Sequence, residues 1–579
     1  MPPPAHGSIA AAAPVAAAIL ERASALVAAV ILEAALPLVA AGLAFGPTSV
    51  ALADPQAFGV EPTASADPSQ RTLCGDLAKP VALGSAQWNG WGRGVENTRY
   101  QPEPAIRATD VPKLALKWAF GYSGGGAAGQ PTIVDGRVFA AGSSGRVYAL
   151  DAKSGCLYWT FDAAAGVLTA ISIGELATPR MPAPPRATRQ KGKHKLTNAH
   201  LEMPRVPGAV FFGDERGTVY ALDAAKGTLL WKTAVDTHPS ARIEASPTLY
   251  KDRLYVAVGS NESDAAKETT YACCTFRGSV AALDIASGRI IWRTLMVPDE
   301  PRPSPGDGGG PPRFGPAGVP IVAAPTIDTA RSLVYVATGD SNNPSSQPLA
   351  DAVVALDLED GKVRWAKQLL VPDGGSSEFW APAVLRAPVN GKNSILVGQR
   401  SGIAYSLDPD RGGEILWQTR MTDGKSAGGV GFGAAADHRA LFVPISGPDA
   451  DSSGSLAAID IKTGAKRWLS ESPTPACSWG SAAEGCSHAQ TQAVTVIPGA
   501  AFSGSLDGHL RAYSTIDGRI LWDYDTAKDF TTVNHVKAAG GSLDRGGPTI
   551  VNGVIFVNSG GVRRGQPGNV LLAFSVDGK

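Results

Sequence analysis

The stretch Gly145-Arg-Val-Tyr-Ala-Leu-Asp151, followed by Gly155 and Trp159, is the unit from which this chain is built. It returns as Gly217 to Asp223 with Gly227 and Trp231, and as Gly278 to Asp284 with Gly288 and Trp292. Further copies end in Trp365, Trp417, Trp468 and Trp522. Each copy is an alternating strand, an Asp at the strand end, a short turn reaching Gly, and an apolar returning strand with its Trp. That pattern is a β-hairpin carrying its own turn chemistry. Upstream of most copies stands Pro-Thr before an Asp-Gly or Lys-Asp turn and a Val-rich strand, at Pro131, Pro247, Pro325 and Pro548. Four antiparallel strands per unit predict one propeller blade each, and a fixed period predicts a ring.

Working outward, seven copies are complete and an eighth is split. Gly568 to Ser575 with Gly578 gives its inner part, and Lys113-Leu-Ala-Leu-Lys-Trp118 gives its outer strand. Pairing the two closes the ring and leaves no open edge. The expected fold is all-β: an eight-bladed β-propeller over residues 111–579, closed by pairing N- and C-terminal strands. Residues 54–110 form an N-terminal arm. A basic, Pro-rich insertion at about 176–205 interrupts the first complete blade or its junction to the second. Its Arg186–Lys195 run reads as a solvated loop, or as a docking patch for an acidic partner.

Composition agrees. Gly (67) and Pro (44) are abundant in the 579 residues and only 18% are charged, which suits short strands and tight turns. Lys+Arg and Asp+Glu both number 52, so no global field selects nucleic acid or an anionic membrane as a partner. Ala, Val and Leu dominate residues 25–53, which end Ala51-Leu52-Ala53, an acceptable signal-peptidase site. Residues 1–53 are therefore expected to be a signal peptide, and the mature protein periplasmic or secreted. The alternative is a membrane anchor if that segment stays uncleaved. The eight histidines show no zinc-ligand spacing, and Gly428-Gly-Val-Gly-Phe-Gly433 lacks the βαβ context of a dinucleotide fingerprint.

The six cysteines are even in number, so an exported chain could pair them all. Cys477 and Cys486 would bridge a short excursion, leaving Cys74 and Cys156 to tie the arm to the first complete blade. Cys273 and Cys274 are adjacent, with Cα atoms about 3.8 Å apart across a trans peptide, less than the roughly 4.4–6.8 Å of most disulfides. From adjacency alone they are either bridged to each other or reduced. No Cys-x-x-Cys-His is present to attach a haem.

Several separated motifs carry a resemblance. Tyr271-Ala-Cys-Cys-Thr-Phe-Arg-Gly278, Gln87-Trp-Asn-Gly-Trp-Gly-Arg93, Asn97-Thr-Arg-Tyr100, Gly398-Gln-Arg-Ser-Gly402, Phe502 to Tyr513 and Thr532 to Lys537 resemble the polyvinyl alcohol dehydrogenase family of quinoproteins. That family is similar to the methanol dehydrogenases, which hold pyrroloquinoline quinone (PQQ) and Ca²⁺. The resemblance implies alcohol oxidation, with a carboxylate taking the hydroxyl proton while hydride moves to the quinone and electrons pass to an external acceptor such as a cytochrome c. It implies a Cys273–Cys274 bridge over one face of the quinone. Position by position, it implies Glu262, Asp340 and Glu378 as metal ligands, Glu378 also as base, and Arg400 as the cation beside the quinone oxygens. Glu244 and Arg277 fall in the same inner region as cofactor contacts. Three positions depart from the pattern. Val322 stands where a stacking Trp is expected, Asp340 where Asn is expected, and Glu378 where Asp is expected. These departures keep a second reading in play, a non-catalytic propeller scaffold of the same lineage, which forecasts salt-bridged acids and a filled axis.

Overall fold

The computed structural model describes residues 73–75, 80–84, 87–176, 208–304, 311–342, 347–370, 377–387, 391–422, 429–446, 454–473, 477, 486–561 and 565–579. The expected signal segment lies outside the described residues, as does the body of the basic insertion.

Eight antiparallel sheets follow one another along the chain, each four strands deep apart from a split inner strand in the third. Blade 1 comprises Ala127–Val134, Arg137–Gly142, Arg146–Asp151 and Leu157–Asp162. Blades 2 to 7 repeat the order and end in the outer strands Leu229–Ala234, Ile290–Leu295, Val363–Gln368, Glu414–Arg420, Lys466–Glu471 and Ile520–Asp525. Blade 8 takes Thr549–Val551, Val554–Ser559 and Val570–Val576 from the C-terminus and Leu114–Gly121 from the N-terminus. Leu114 pairs with Val576 and Gly121 with Val570, so the ring closes across the chain ends as the split repeat predicts. The insertion leaves after the inner strand Ser172–Gly174 and returns as Ala209–Gly213, which places it inside blade 2. The repeat motif marks only the two outer strands of a blade, so the short inner strand that assigns the insertion was not legible.

The repeated residues form a latch between blades. Each outer-strand Trp lies over the turn of the next blade, and all but Trp365 donate the indole N–H to a carbonyl there: Trp118 to Ala152 at 3.2 Å, Trp159 to Ala224 at 3.0 Å, Trp231 to Ile285 at 2.8 Å, and Trp522 across the closure to Leu114 at 3.1 Å. The turn Gly makes room for the ring. Gly361 has φ +70, and a methyl group there would sit 2.4 Å from Trp292. The repeat's Asp fastens the turn: Asp223 Oδ1 accepts from the Ala225 and Lys226 amides. The Pro-Thr motif belongs to the inner edge. The hydroxyls of Thr132, Thr248 and Thr326 each donate to a carbonyl of the following blade at 2.6–2.7 Å, and Thr495, preceded by Val494, does the same at 2.5 Å.

The arm runs around the inside of this ring. Trp88 pairs with Ile133 of blade 1, and Asn89 donates to the Ile173 carbonyl of blade 2. The carbonyls of Val95, Glu96 and Thr98 accept from Ile327, Leu385 and Ala436 of blades 4, 5 and 6. Arg99 and Gln101 bond Val496 of blade 7, and Gln101 reaches Ile550 of blade 8. Arg99 is fully buried. It donates to the carbonyls of Val494, Trp91 and Pro548, to Thr495 Oγ1 and to Gln130, all neutral acceptors. Burial lowers its pKa to about 9.

Disulfide pairs form at Cys74–Cys156, Cys273–Cys274 and Cys477–Cys486, with Cα separations of 5.4, 3.1 and 6.0 Å. The first ties the arm to blade 1, where Cys74 N also bonds Leu157 O.

Candidate active site at one mouth of the ring

Antiparallel strands alternate in direction, so connections from a second to a third strand and from a fourth strand to the next blade share one end of the ring. All the predicted site residues lie on such connections. Glu262, Cys273, Cys274 and Arg277 interrupt the middle of blade 3, Asp340 that of blade 4 and Arg400 that of blade 5. Glu244 leads into the second part of the blade 3 inner strand, Val322 leads into blade 4, and Glu378 leads into blade 5.

A band of charged and aromatic side chains crosses this mouth. Glu378 and Arg400 form an ion pair. The Arg400 guanidinium carbon lies 3.9 Å from the centroid of Trp380. Trp380 stacks on Phe432 with centroids 5.2 Å apart and planes 15° apart. Arg545 lies 5.2 Å from the Phe432 centroid and pairs with Glu244 at 3.1 Å. Glu244 and Arg545 are 301 residues apart in sequence, so the pair joins blade 3 to the connection between blades 7 and 8. Beneath the band lies the arm. A methyl group at Gly433, beside Phe432, would sit 3.1 Å from Trp91.

Acids crowd around Glu378. The Asp340 carboxyl is pushed above its usual range by desolvation and by Glu378, against the pull of Arg400. Asp351 is raised to about 7 by burial, then by Asp340, then by Glu378. Its Oδ1 is buried without a hydrogen-bond partner. Asp351 was not singled out in the sequence, because Asp351-Ala-Val-Val-Ala-Leu-Asp357 reads as one more repeat. Trp380, Phe432 and Arg545 were missed too, although each stands within or beside a stretch noted for other reasons.

Glu262 sits within the middle connection of blade 3. It is fully buried and accepts from the Thr275 and Phe276 amides at 2.7 and 3.0 Å, from Tyr271 Oη at 3.1 Å and from Asn342 Nδ2 at 3.3 Å. It therefore anchors the loop carrying Cys273 and Cys274, whose other side pairs with Arg313 and Phe314. Through Asn342 it also touches the loop that carries Asp340. Arg277 turns away from the band, donating to the Pro298 and Asp299 carbonyls. Val322 presents no ring; its Cγ1 packs close over Gly259.

A family model described as glucose/ethanol/alcohol dehydrogenase, β-propeller domain, matches residues 88–420, more than half of the chain. A second, described as outer membrane protein assembly factor BamB, matches residues 453–579. Polyvinylalcohol dehydrogenase of a Pseudomonas species is 39% identical over 555 residues, covering 91% of this chain and 82% of its own. That of Sphingopyxis sp. (strain 113P3) is 38% identical, covering 88% and 80%. The chain belongs to the PQQ quinoprotein alcohol dehydrogenases. Among solved structures, the quinohemoprotein alcohol dehydrogenase of Comamonas testosteroni superposes with a TM-score of 0.58 at 19% identity, covering 86% of this chain and 82% of that one. ADHIIG of Pseudomonas putida HK5 gives 0.61 at 17%, covering 87% and 83%. At such identities the likeness concerns the propeller fold.

This quinoprotein's mouth suits a flat, polyanionic aromatic group. Arg400 and Arg545 offer charge at either end of the stacked Trp380–Phe432 pair, and buried polar atoms stand without protein partners. Both amide atoms of Gln492 and Arg545 Nε are such atoms. Calcium is a different matter. Oxygen ligands suit a hard cation, but among the described residues no three Asp, Glu, His or Cys side chains are gathered to hold a metal. Glu262, Asp340 and Glu378 do not form one coordination sphere as placed here.

Proposed function

We propose that this quinoprotein oxidises an alcohol with PQQ bound at the mouth of the ring, between the Cys273–Cys274 loop and the Arg400–Arg545 band. The observation that carries the reading is that band. Two guanidinium groups, two stacked rings and a crowd of acids meet where eight blades present their most irregular loops. When bound, PQQ supplies the two-electron acceptor for the hydride of the alcohol. Glu378 takes the hydroxyl proton at its carboxylate, and the paired Arg400 orients it. Arg400 and Arg545 hold negative charge on the cofactor. Glu262 keeps the disulfide loop in place. The ion pairs that a scaffold reading forecasts are present, and the unpartnered polar atoms beside them are what support the binding reading.

The names of the most similar relatives above favour a secondary or polymeric alcohol as substrate. Electrons then leave to an external acceptor such as a cytochrome c. Paired cysteines fit an oxidising compartment, so the mature chain is periplasmic or secreted, with N-terminal sequencing expected to begin at Asp54. Calcium is proposed as a cation for the acids around Asp340, Asp351 and Glu378. The test is reconstitution of the purified protein with PQQ, with and without Ca²⁺. A change in quinone absorbance and dye-linked turnover of primary, secondary or polymeric alcohols are expected. No spectral change and no turnover would sink the reading.

A further inference from the structure

We infer that Arg511, buried in blade 7, is a positioning residue for Arg545: it fixes the turn from which the segment carrying Arg545 hangs. The inference rests on the proposed cofactor role of Arg545 and deepens it.

Arg511 stands apart within the repeat. At its position in the third strand, blades 1, 2 and 5 have tyrosine, blades 3, 4 and 6 have alanine or valine, and blade 7 has arginine. The Arg511 side chain is 1% exposed and that of Asp507 is wholly buried. The guanidinium grips three partners: Nη2 donates to Asp507 Oδ2 at 2.8 Å, Nη1 to Ser505 Oγ at 2.7 Å, and Nε to Asp523 Oδ2 at 3.1 Å. Asp523 also accepts from His509 Nδ1 at 2.6 Å. Burying a guanidinium carries a desolvation cost that apolar packing at the same position avoids. Six other blades form with a neutral residue there, so blade construction does not account for this one.

The group it holds is the middle connection of blade 7, Ser505 to Gly508, at the same end of the ring as the band. Asp507 Oδ1 accepts from Ser505 Oγ and from the His509 amide, so the turn is clamped across its base. Two further segments hang from that turn. Ser505 O accepts from the Leu543 amide at 3.1 Å, and Leu506 O accepts from Ser542 Oγ at 2.6 Å. The Leu506 amide donates to Ala489 O at 3.1 Å. Beyond these attachments the two segments become Thr491–Gln492 and Asp544–Arg545, which pair in parallel. Arg545 has φ +58, a conformation that an arginine keeps only where its surroundings impose it. It follows the Leu543 anchor by two residues, so a shift of the turn is passed to its guanidinium. That guanidinium meets Glu244 of blade 3 at 3.1 Å and lies 5.2 Å from the Phe432 centroid.

The experiment compares wild-type protein with Arg511→Met, Arg545→Met and the double variant, reading PQQ affinity from quinone absorbance and amide hydrogen exchange over residues 541–546. Arg511→Met should speed exchange at the Leu543 amide by about tenfold while the other blades keep wild-type rates. It should also weaken PQQ binding roughly tenfold, the scale of a lost charge-assisted hydrogen bond. Because Arg511 acts through Arg545, the double variant should bind no more weakly than Arg545→Met alone. Should Arg511→Met fail to fold, Arg511→Met with Asp507→Asn, which also removes the wholly buried acid, takes its place in the same measurements. Wild-type exchange at Leu543 in a folded variant overturns the inference while the PQQ reading stands, and so do additive losses in the double variant. If wild-type protein binds no PQQ, that reading falls, and the exchange rates alone decide whether Arg511 positions the Arg545 segment.

Discussion

The two ends of the ring are built by opposite rules. At one end, the turn between the third and fourth strands repeats Asp, Gly and the incoming Trp in blade after blade, with the same close contact each time. Gly227, Gly288, Gly464 and Gly518 all sit under the Trp of the preceding blade. At the other end no two connections are alike. The middle connection of blade 5 is Gln399-Arg-Ser-Gly402, while that of blade 3 runs from Asn261 to Gly278 and includes a helical turn and a disulfide. Repetition carries the interactions that hold neighbours together, because every blade has the same neighbour to hold. Singular residues carry chemistry, because a site on the axis needs each blade to contribute something different.

The sharpest way to break this division is at the singular end. Glu378→Gln keeps the size of the side chain and its reach to Arg400 while removing the base. Turnover should fall by at least about a hundredfold, as expected when a general base is lost, with PQQ affinity and melting temperature nearly unchanged. Substantial residual turnover would move the base elsewhere in the acid crowd. At the repeated end the expected effect is on stability alone. Gly361→Ala forces a methyl group into Trp292 and an L-residue into positive φ. It should cost about 3 kcal/mol by denaturant titration. Gly124→Ala is the control. It has φ +79 but open space around it, so it should show only the conformational part, about 1 kcal/mol.

Asp351 offers a smaller effect that belongs to the singular end but reads out as stability. Its folded pKa is raised to about 7 by burial, then by Asp340, then by Glu378. An unfolded aspartate titrates near 4. The folded state therefore holds a proton that the unfolded state has released across that window, and stability falls as pH rises from about 4 to about 7. Asp351→Asn should flatten this slope and stabilise the protein at pH 8 by about 2 kcal/mol after solvent screening. A cation bound among these acids would flatten the same slope in wild type, so repeating the titration with Ca²⁺ tests the calcium proposal independently of activity.

How much of this was legible in the sequence follows the same division. The ring, its closure through Leu114–Gly121 and the pairing of Cys477 with Cys486 could be read from local pattern, because each is written in neighbouring residues or in a repeat. The resemblance pointed to Arg400, Glu378 and Glu244, which the fold brings into one band. It did not reveal that Glu262 is occupied by the Thr275 and Phe276 amides, or that Arg277 turns to Pro298, since such partners are fixed by loop conformation. Asp351 was hidden by its repeat-like context. Its altered proton affinity comes first from burial and then from the loops entering at Asp340 and Glu378. The arm was hidden for a different reason. Nothing in Asn97-Thr-Arg-Tyr100 announces that Arg99 will bridge blades 7, 8 and 1, whose residues are hundreds of positions away.

The smallest predicted effect tests the repetition where it slips. In blades 1, 2, 3, 4 and 6 the turn runs four residues from Asp to Gly, as from Asp460 to Gly464. In blade 5 it runs five, from Asp408 to Gly413, through a 3-10 turn at Pro409–Arg411. The extra residue changes the carbonyl offered to the incoming indole. Trp417 donates to Ile461 O at 3.0 Å, whereas Trp365 Nε1, facing the longer turn, is buried with no partner. Both rings are half-buried in equivalent positions, so the loss of ring volume on changing Trp to Phe largely cancels between them. What remains is the hydrogen bond. Trp417→Phe gives up a bond and leaves the Ile461 carbonyl without that donor. Trp365→Phe removes a donor that was already unsatisfied. Trp417→Phe should therefore be the more destabilising by about 1 kcal/mol in parallel denaturant titrations. Equal losses would mean that the latch is held by ring packing alone, and that the indole N–H contributes nothing to the repeat.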